Sequence, residues 1–235
     1  MLLLSSASCM DDTGRYGQDN RNYRITASIE DANVASRVAD KNNRTSFTKN
    51  DEIFIGWSGS ASYKYLCSGT DNVFVPNASD ANRELWTGLL NASSTKEVYA
   101  WYGTMSSTLP AVGTNISIPP DQTSDSKMLS AICMAAHQSA SSTTNTLDFT
   151  FHHLTARLFI SVDVVDDIVM QEDVMGATAR LNRIYTAGNV ATDTSSKEYL
   201  LNVPTDKAGT GSIRMNRSWS DQEAFHLDFE CLLPP

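Results

Sequence analysis

The sequence predicts an all-β protein built from β-sandwich domains. Short segments with period-two alternation of apolar and polar residues recur along the chain, and turns rich in Asn, Asp, Ser and Gly separate them. Helical periodicity is weak, which is the third observation behind this prediction. With 235 residues, the chain is long enough for one large domain or two small ones.

The alternation is clearest in the first predicted strand, residues 23–30, which read YRITASIE. Its apolar face carries Tyr23, Ile25, Ala27 and Ile29, and polar side chains occupy the other face, as in a half-buried strand. Further strands rich in aromatic and β-branched residues are predicted over residues 51–57, 96–103, 114–120, 146–165, 196–203 and 225–233.

Two features interrupt the strand pattern. In residues 146–165 the alternation changes phase near His152 and His153, which indicates a bulge or a change of sheet. Residues 126–137 are predicted to form one short helix or turn. A domain boundary is predicted near residue 160, so that an N-terminal sandwich covers 23–160 and a short C-terminal sandwich covers 161–235.

The net charge of the protein argues against some classes of binding partner. The formal net charge is −9 and the isoelectric point is about 4.8, which argues against nucleic acid and anionic lipid headgroups as partners. No apolar run approaches the roughly 20 residues that a membrane-spanning helix needs.

The N-terminus carries a candidate lipidation site at Cys9. Small residues precede it and the acids Asp11 and Asp12 follow it, in a pattern that resembles a bacterial lipoprotein signal, although Ser6 stands where an aliphatic residue is usual. We expect residues 1–9 to be the remnant of a longer leader and residues 10–22 to be a flexible tether. The alternative is a disordered terminus with an incidental thiol.

Candidate catalytic and metal-binding motifs are weak. The segment GWSGS at 56–60 lacks the final glycine of a nucleophile elbow, and the adjacent His152 and His153 would face opposite sides of a strand. The acids Asp163, Asp166 and Asp167 lack the glycine and glutamate of a calcium loop. We therefore expect no enzyme activity, no metal and no cofactor. Three cysteines beside Cys9 show no metal-binding spacing.

Five segments in order resemble the fimbrillin family of Bacteroidetes. They include an arginine-containing segment before an Ile-Gly strand, an aromatic strand, and a P-x-x-Q segment, and they lie at residues 36–57, 98–103, 116–136, 147–162 and 176–190. Each motif is weak alone, but together they span nearly the whole chain. The resemblance implies two transthyretin-like β-sandwich domains in tandem, the second short and incomplete if the chain is truncated.

The resemblance also implies a function. Fimbrillins are lipoproteins of the outer membrane, so the resemblance implies a lipid on Cys9 of this chain. In that family an Arg-specific protease cuts after an arginine that follows the first strand. Arg37 is the first candidate cleavage site and Arg44 the second, and residues 23–30 would be the removable strand. A strand from the next fimbrial subunit would fill the vacated groove and build a filament for cell adhesion.

The C-terminal strand is a candidate donor. Its alternating face consists of Phe225, Leu227, Phe229, Cys231 and Leu233. In the family a similar strand lies inside the second domain, so either the chain is truncated, which suggests a tip, an anchor or a non-functional fragment, or this strand is terminal and can be donated. The alternative function is a non-polymerising surface lipoprotein that binds glycans through Trp57, Trp86, Trp101 or Trp219.

Overall fold

The structure is a computed structural model that describes residues 23–30, 46–57, 62–163, 176–203, 210–218 and 226–235. Within these ranges the chain is mostly strand, with two helices. The strands are β1 (Arg24–Ile29), β2 (Glu52–Gly56), β3 (Tyr63–Cys67), β4 (Val73–Pro76), β5 (Lys96–Gly103), β6 (Asn115–Ser117), β7 (Cys133–Ala140), β8 (Thr146–His153), β9 (Ala156–Asp163), β10 (Arg180–Tyr185), β11 (Ala187–Thr192), β12 (Tyr199–Asn202), β13 (Thr210–Arg214), β14 (Asn216–Ser218) and β15 (His226–Leu233). The helices are α1 (Ser79–Leu90) and α2 (Asp125–Leu129).

Seven strands form a closed barrel in the order β1-β4-β3-β2-β5-β7-β8. Neighbouring strands are antiparallel except for β1 and β8, which run parallel over six residue pairs. Strand β1 therefore closes the barrel by joining β4 to β8. Without it, the six remaining strands would form an open sheet with β4 and β8 at its edges.

The barrel interior is filled by one side of each strand. The inward residues of β5 are Val98 and Ala100, and those of β8 include Phe149 and Phe151, all fully buried. Phe47 is also buried here, with its ring 5.2–5.6 Å from the rings of Phe74, Phe151 and Tyr102.

Part of the outer barrel face is also buried, because the sheet β12-β11-β6 packs against it. Trp101 and Tyr99 point outward from β5, and Tyr99 stacks on Tyr199 of β12 with ring centroids 4.5 Å apart. Strands β2, β5 and β7 therefore bury residues on both faces, which explains why each contains four consecutive buried residues.

The remaining sheets are β10-β13 and β14-β15-β9. Their buried residues, among them Ile213, Phe229 and Cys231, belong to the same core cluster as the barrel interior. Strand β9 runs through residue 160 and pairs with β15 over eight positions. The boundary proposed at residue 160 stays a prediction.

The all-β class is confirmed. The sheets are a barrel and three small sheets, which do not divide clearly into two tandem sandwiches. The change of phase at His152 and His153 marks the end of β8 and the start of a different sheet at β9. The helix expected at 126–137 is shorter than predicted, because α2 ends at Leu129 and β7 begins at Cys133.

Candidate functional site

Strand β1 is the candidate functional element, and its backbone is paired on both sides. It lies antiparallel to β4 at Ile25 and Thr26 and parallel to β8 along its whole length. Arg24 N–H donates a hydrogen bond to Asn145 O, just before β8, at 3.0 Å. Ala27 N–H donates one to Asn72 O, just before β4, at 3.1 Å. A groove between β4 and β8 therefore accepts one extended segment and satisfies its backbone groups from both walls.

The side chains of β1 follow the predicted alternation. Ile25, Ala27 and Ile29 are 2%, 0% and 7% exposed and belong to the barrel core. Tyr23 is half-buried and stacks on Trp86 of α1, with ring centroids 4.6 Å apart. The four residues predicted as the apolar face of a removable strand thus share one face that points into the barrel.

The outward face of β1 is polar. Thr26 Oγ1 donates to Asp148 Oδ1 at 2.6 Å across the parallel pair with β8. This contact links residues 122 positions apart in the chain. It offers a place where β1 can be tethered without disturbing the core.

Several predicted site residues lie outside the described residues. These are Cys9, both candidate cleavage sites Arg37 and Arg44, Phe225 and Trp219. The chain between β1 and Ser46 contains Arg37 and Arg44, so a cut at either would separate β1 from the rest of the barrel in sequence.

The candidate donor strand, β15, is the central strand of its sheet. It pairs with β9 on one side and β14 on the other. Leu227, Phe229 and Cys231 are buried and Leu233 is half-buried. A fully buried Glu230 on the same strand forms an ion pair with Arg157 of β9. Donation of β15 would require these contacts to open.

Comparison with known proteins supports the architecture. A scan of protein-family models finds no match, and neither does a search of curated proteins. The similar solved structures include two that are each described as a "putative cell adhesion protein". The one from Bacteroides uniformis is 17% identical, with 92% of this chain and 76% of that chain covered and a TM-score of 0.53. The one from Bacteroides ovatus is 15% identical, with 92% and 78% covered and a TM-score of 0.55.

At these identities the likeness shows the fold alone. Membership of the fimbrillin family stays a prediction.

A cluster that the sequence did not reveal joins β9 to β15. Ser161 Oγ lies 3.0 Å from His226 Nε2, and His226 Nδ1 lies 2.6 Å from Asp163 Oδ1, which are the contacts of a Ser-His-Asp triad. A second carboxylate changes its chemistry, because Ser161 donates to Asp228 Oδ1 at 2.8 Å and His226 Nε2 lies 3.1 Å from the same oxygen.

The electrostatics of this cluster favour an ion pair over a nucleophile. The hydrogen bond to Asp163, with the negative charges of Asp228 and Asp163, raises the pKa of His226 above its ordinary value. The single hydroxyl proton of Ser161 is donated to Asp228, so it is not directed at His226 as a nucleophile's proton would be. The predicted acidic turn thus contributes Asp163 to this cluster, whereas Asp166 and Asp167 lie outside the described residues.

An open cleft of about 580 Å³ lies between the β8–β9 turn and the β11–β12 hairpin. His152 on its wall is within 2.9 Å of Tyr199 O. Asp193 Oδ1 accepts hydrogen bonds from Ser195 and Ser196, which hold the pKa of Asp193 well below its usual range. These groups already satisfy one another within the hairpin, so we assign the cleft no ligand.

Two of the tryptophans proposed for sugar stacking, Trp86 and Trp101, are packed inside the molecule, and Trp219 lies outside the described residues. Trp86 and Trp101 are 2% and 0% exposed. Trp57 is half-buried, with Lys96 Nζ 4.4 Å from its ring centroid. Among the described residues, no group of three or more His, Cys, Asp or Glu side chains is placed to hold a metal ion. Neither described helix has the length and apolar character to cross a membrane.

Proposed function

We propose that the protein is a subunit or an accessory, tip or anchor protein of a bacterial surface fimbria, serving cell adhesion and assembled by protease-triggered strand exchange. The observation that carries this proposal is β1, a short segment that closes the barrel from the N-terminal side and is paired by β4 and β8. The two similar structures, both described in terms of cell adhesion, support the adhesive part.

Strand exchange makes physical sense at this groove. Burial of Ile25, Ala27 and Ile29 contributes about 4–7 kcal/mol, so β1 stays in place while it is covalently attached. After a cut at Arg37 or Arg44, release of β1 would expose this apolar wall and the open edges of β4 and β8. An extended segment of another subunit, with alternating apolar and polar residues, would cover the apolar wall and pair with the edges of β4 and β8, as in strand addition.

The first test is digestion of the full chain by an Arg-specific protease, followed by mass spectrometry and size-exclusion chromatography. We expect a cut at Arg37 or Arg44 and a ladder of multimers. The Arg37→Gln and Arg44→Gln double variant should stay monomeric, whereas Lys49→Gln, which removes an exposed cation that this protease ignores, should behave as wild type.

A second variant tests the groove itself. Thr26→Cys with Asp148→Cys places two thiols at a directly paired position of β1 and β8. When the disulfide is formed, the cut protein should remain monomeric, and a reductant should restore the ladder. A cut protein that stays a stable monomer without the disulfide, or that assembles with β1 locked, would contradict strand exchange.

We propose that the protein is lipid-anchored at the cell surface through Cys9 and has no enzymatic activity. The absence of enzymatic activity is supported by the Ser161–His226–Asp163 cluster, whose hydrogen bonds fit a structural role. Metabolic labelling with a fatty acid should mark the wild type and not Cys9→Ser. A labelled Cys9→Ser protein would contradict the anchor.

A further inference from the structure

We propose that the outer face of the β10–β13 sheet binds an acidic polysaccharide that carries carboxylate or sulfate groups. We name this surface the arginine face, and its residues are Arg180, Asn182 and Tyr185 on β10 and Thr210, Ser212 and Arg214 on β13. The inference rests on the proposed adhesive function, to which it gives a ligand class. It does not depend on β1 or on strand exchange.

The register of the two strands defines the arginine face. Arg180 lies directly opposite Arg214, Asn182 opposite Ser212, and Tyr185 opposite Thr210. The alternate residues Leu181, Ile184 and Ile213 belong to or pack against the core. Because side chains of a strand alternate, the polar set points away from that core. Arg180, Asn182 and Arg214 are exposed and Tyr185 is half-buried.

Charge on the arginine face is unbalanced. Two arginines directly opposite each other in a ladder repel, so the pair costs stability. The carboxylate of Asp121 forms ion pairs with two cations at once, Arg214 at 2.7 Å and Lys127 at 2.8 Å, so it neutralises neither fully. Within the part of the chain that the structure describes, Arg180 and Arg183 take part in no ion pair.

A third arginine lies beside the two on this face. Arg183 is exposed at the bulge of β10, where its φ is 57°. The protein as a whole carries a net charge of −9, so this concentration of cations runs against its overall charge. A local positive surface on an acidic protein attracts a polyanion to one place and repels it elsewhere.

The composition of the arginine face favours a glycan over a protein partner. Guanidinium groups bind carboxylate and sulfate through paired hydrogen bonds, Asn182 and Ser212 offer groups that hydrogen-bond to hydroxyls, and Tyr185 offers a ring. Neither strand carries an exposed large aliphatic residue, since the described residues of that kind lie on other segments: Val75, Val112, Leu129 and Val162. The buried centre of a protein interface is more apolar than the rest of the surface, whereas this face offers polar side chains and a single aromatic ring.

The dimensions of the surface suit a chain-like ligand. From Arg180 to Tyr185 the face extends about 16 Å along the strand, at roughly 3.3 Å per residue. The arginines are at one end and the tyrosine is at the other. A short stretch of an extended acidic polysaccharide can contact both ends.

The experiment measures binding of the uncut full chain to immobilised heparin and polygalacturonate, with dextran as the neutral polymer. We expect binding to at least one acidic polymer, loss of that binding as salt rises, and none to dextran. Polygalacturonate carries carboxylates alone and heparin carries both carboxylates and sulfates, so binding to polygalacturonate shows that carboxylates suffice, and binding to heparin alone shows that sulfates are required.

Matched variants separate the arginine face from total charge. Arg180→Gln with Arg183→Gln should weaken binding by at least about tenfold, since a hydrogen bond to a charged group is worth that much. Arg24→Gln with Lys49→Gln removes two exposed cations elsewhere and should leave the affinity within about twofold.

Two outcomes would overturn the inference: no binding of wild type to either acidic polymer, or equal losses of affinity in the two double variants. Binding is measured on the uncut monomer, which does not need strand exchange. A negative binding result would therefore not contradict strand exchange, and a failure of strand exchange would not contradict polysaccharide binding.

Discussion

Gln122 shows how a single side chain can complete the hydrogen bonding of a strand. It is fully buried, and its Oε1 accepts from Leu232 N–H at 2.7 Å while its Nε2 donates to Leu232 O at 2.9 Å. Nε2 also lies 3.2 Å from Pro119 O. The side-chain amide thus acts as a one-residue neighbour for β15, and this is the physical role of the glutamine in the P-x-x-Q segment.

Replacing Gln122 should therefore destabilise the protein strongly. Gln122→Ala leaves the buried N–H and C=O of Leu232 without partners, which should cost about 2–4 kcal/mol in the free energy of unfolding. Urea denaturation measures this difference. The exposed Ser94→Ala control should lie within about 0.5 kcal/mol of wild type. Equal stability of the two variants would contradict the proposed role.

His226 predicts a pH dependence of stability. Its folded-state pKa is raised by Asp163 and Asp228, so its contribution is fully present below the unfolded pKa of about 6.5. That contribution is lost as the pH rises through the folded pKa. Wild type should exceed His226→Gln in melting temperature at mildly acidic pH, and the gap should close above neutrality. A gap that widens with rising pH would contradict this ion pair.

At the scale of elements, β7 shows where propensity misleads. Its residues Cys133 to Ala136 are small or flexible and suggest helix as readily as strand. In the structure Ala135 lies opposite Trp101 on the outer face, and Ala136 lies opposite Ala100 on the inner face. Both faces of β7 are packed, so small side chains are selected by space and not by strand preference.

A larger residue on β7 should not be accommodated. Ala136→Leu forces extra volume into the barrel interior, which should cost about 1–3 kcal/mol in the free energy of unfolding. The matched change Thr150→Val, on the exposed face of β8, should alter stability by less than about 0.5 kcal/mol. Thermal unfolding monitored by circular dichroism compares them. An unchanged Ala136→Leu would show that the barrel contains unfilled space.

At the scale of the whole molecule, the barrel depends on strands from the C-terminal third. Phe54 and Trp101 on its outer face are covered by Val190 and Leu201 of β11 and β12. The inner core is continuous with residues of β13 and β15. A single cooperative unit is therefore expected despite the several sheets.

Truncation tests that expectation. A chain ending at residue 160 loses β10 to β15 and the end of β9, and it exposes Trp101, Tyr99 and Phe54 to water. We expect it to aggregate or to lack a cooperative melting transition, because an apolar patch of this kind is not stable in solvent. The full chain is the control. A soluble fragment with a sharp transition would instead establish 23–160 as an independent domain.

Local patterns account for the parts of the fold that the sequence predicts. The face of β1, the strands β2, β5, β8 and β15, and the break after His153 were all visible as alternation or its loss. Strand β7 was missed because tertiary packing overrides its local preference. Helix α1 was also missed, although its buried Leu85, Trp86 and Leu89 follow a helical spacing that the sequence already carries. The candidate cleavage and lipidation sites stay predictions, since they lie outside the described residues.

The sequence by itself determined which residues of β1 and β8 face the core, because alternation is a property of neighbouring residues. Only the tertiary structure decided which strands are partners. It places β1 between β4 and β8, pairs Arg180 with Arg214, and joins Ser161, His226 and Asp163. These contacts connect residues far apart in the chain, and their choice depends on the packing of whole sheets, which no local pattern encodes.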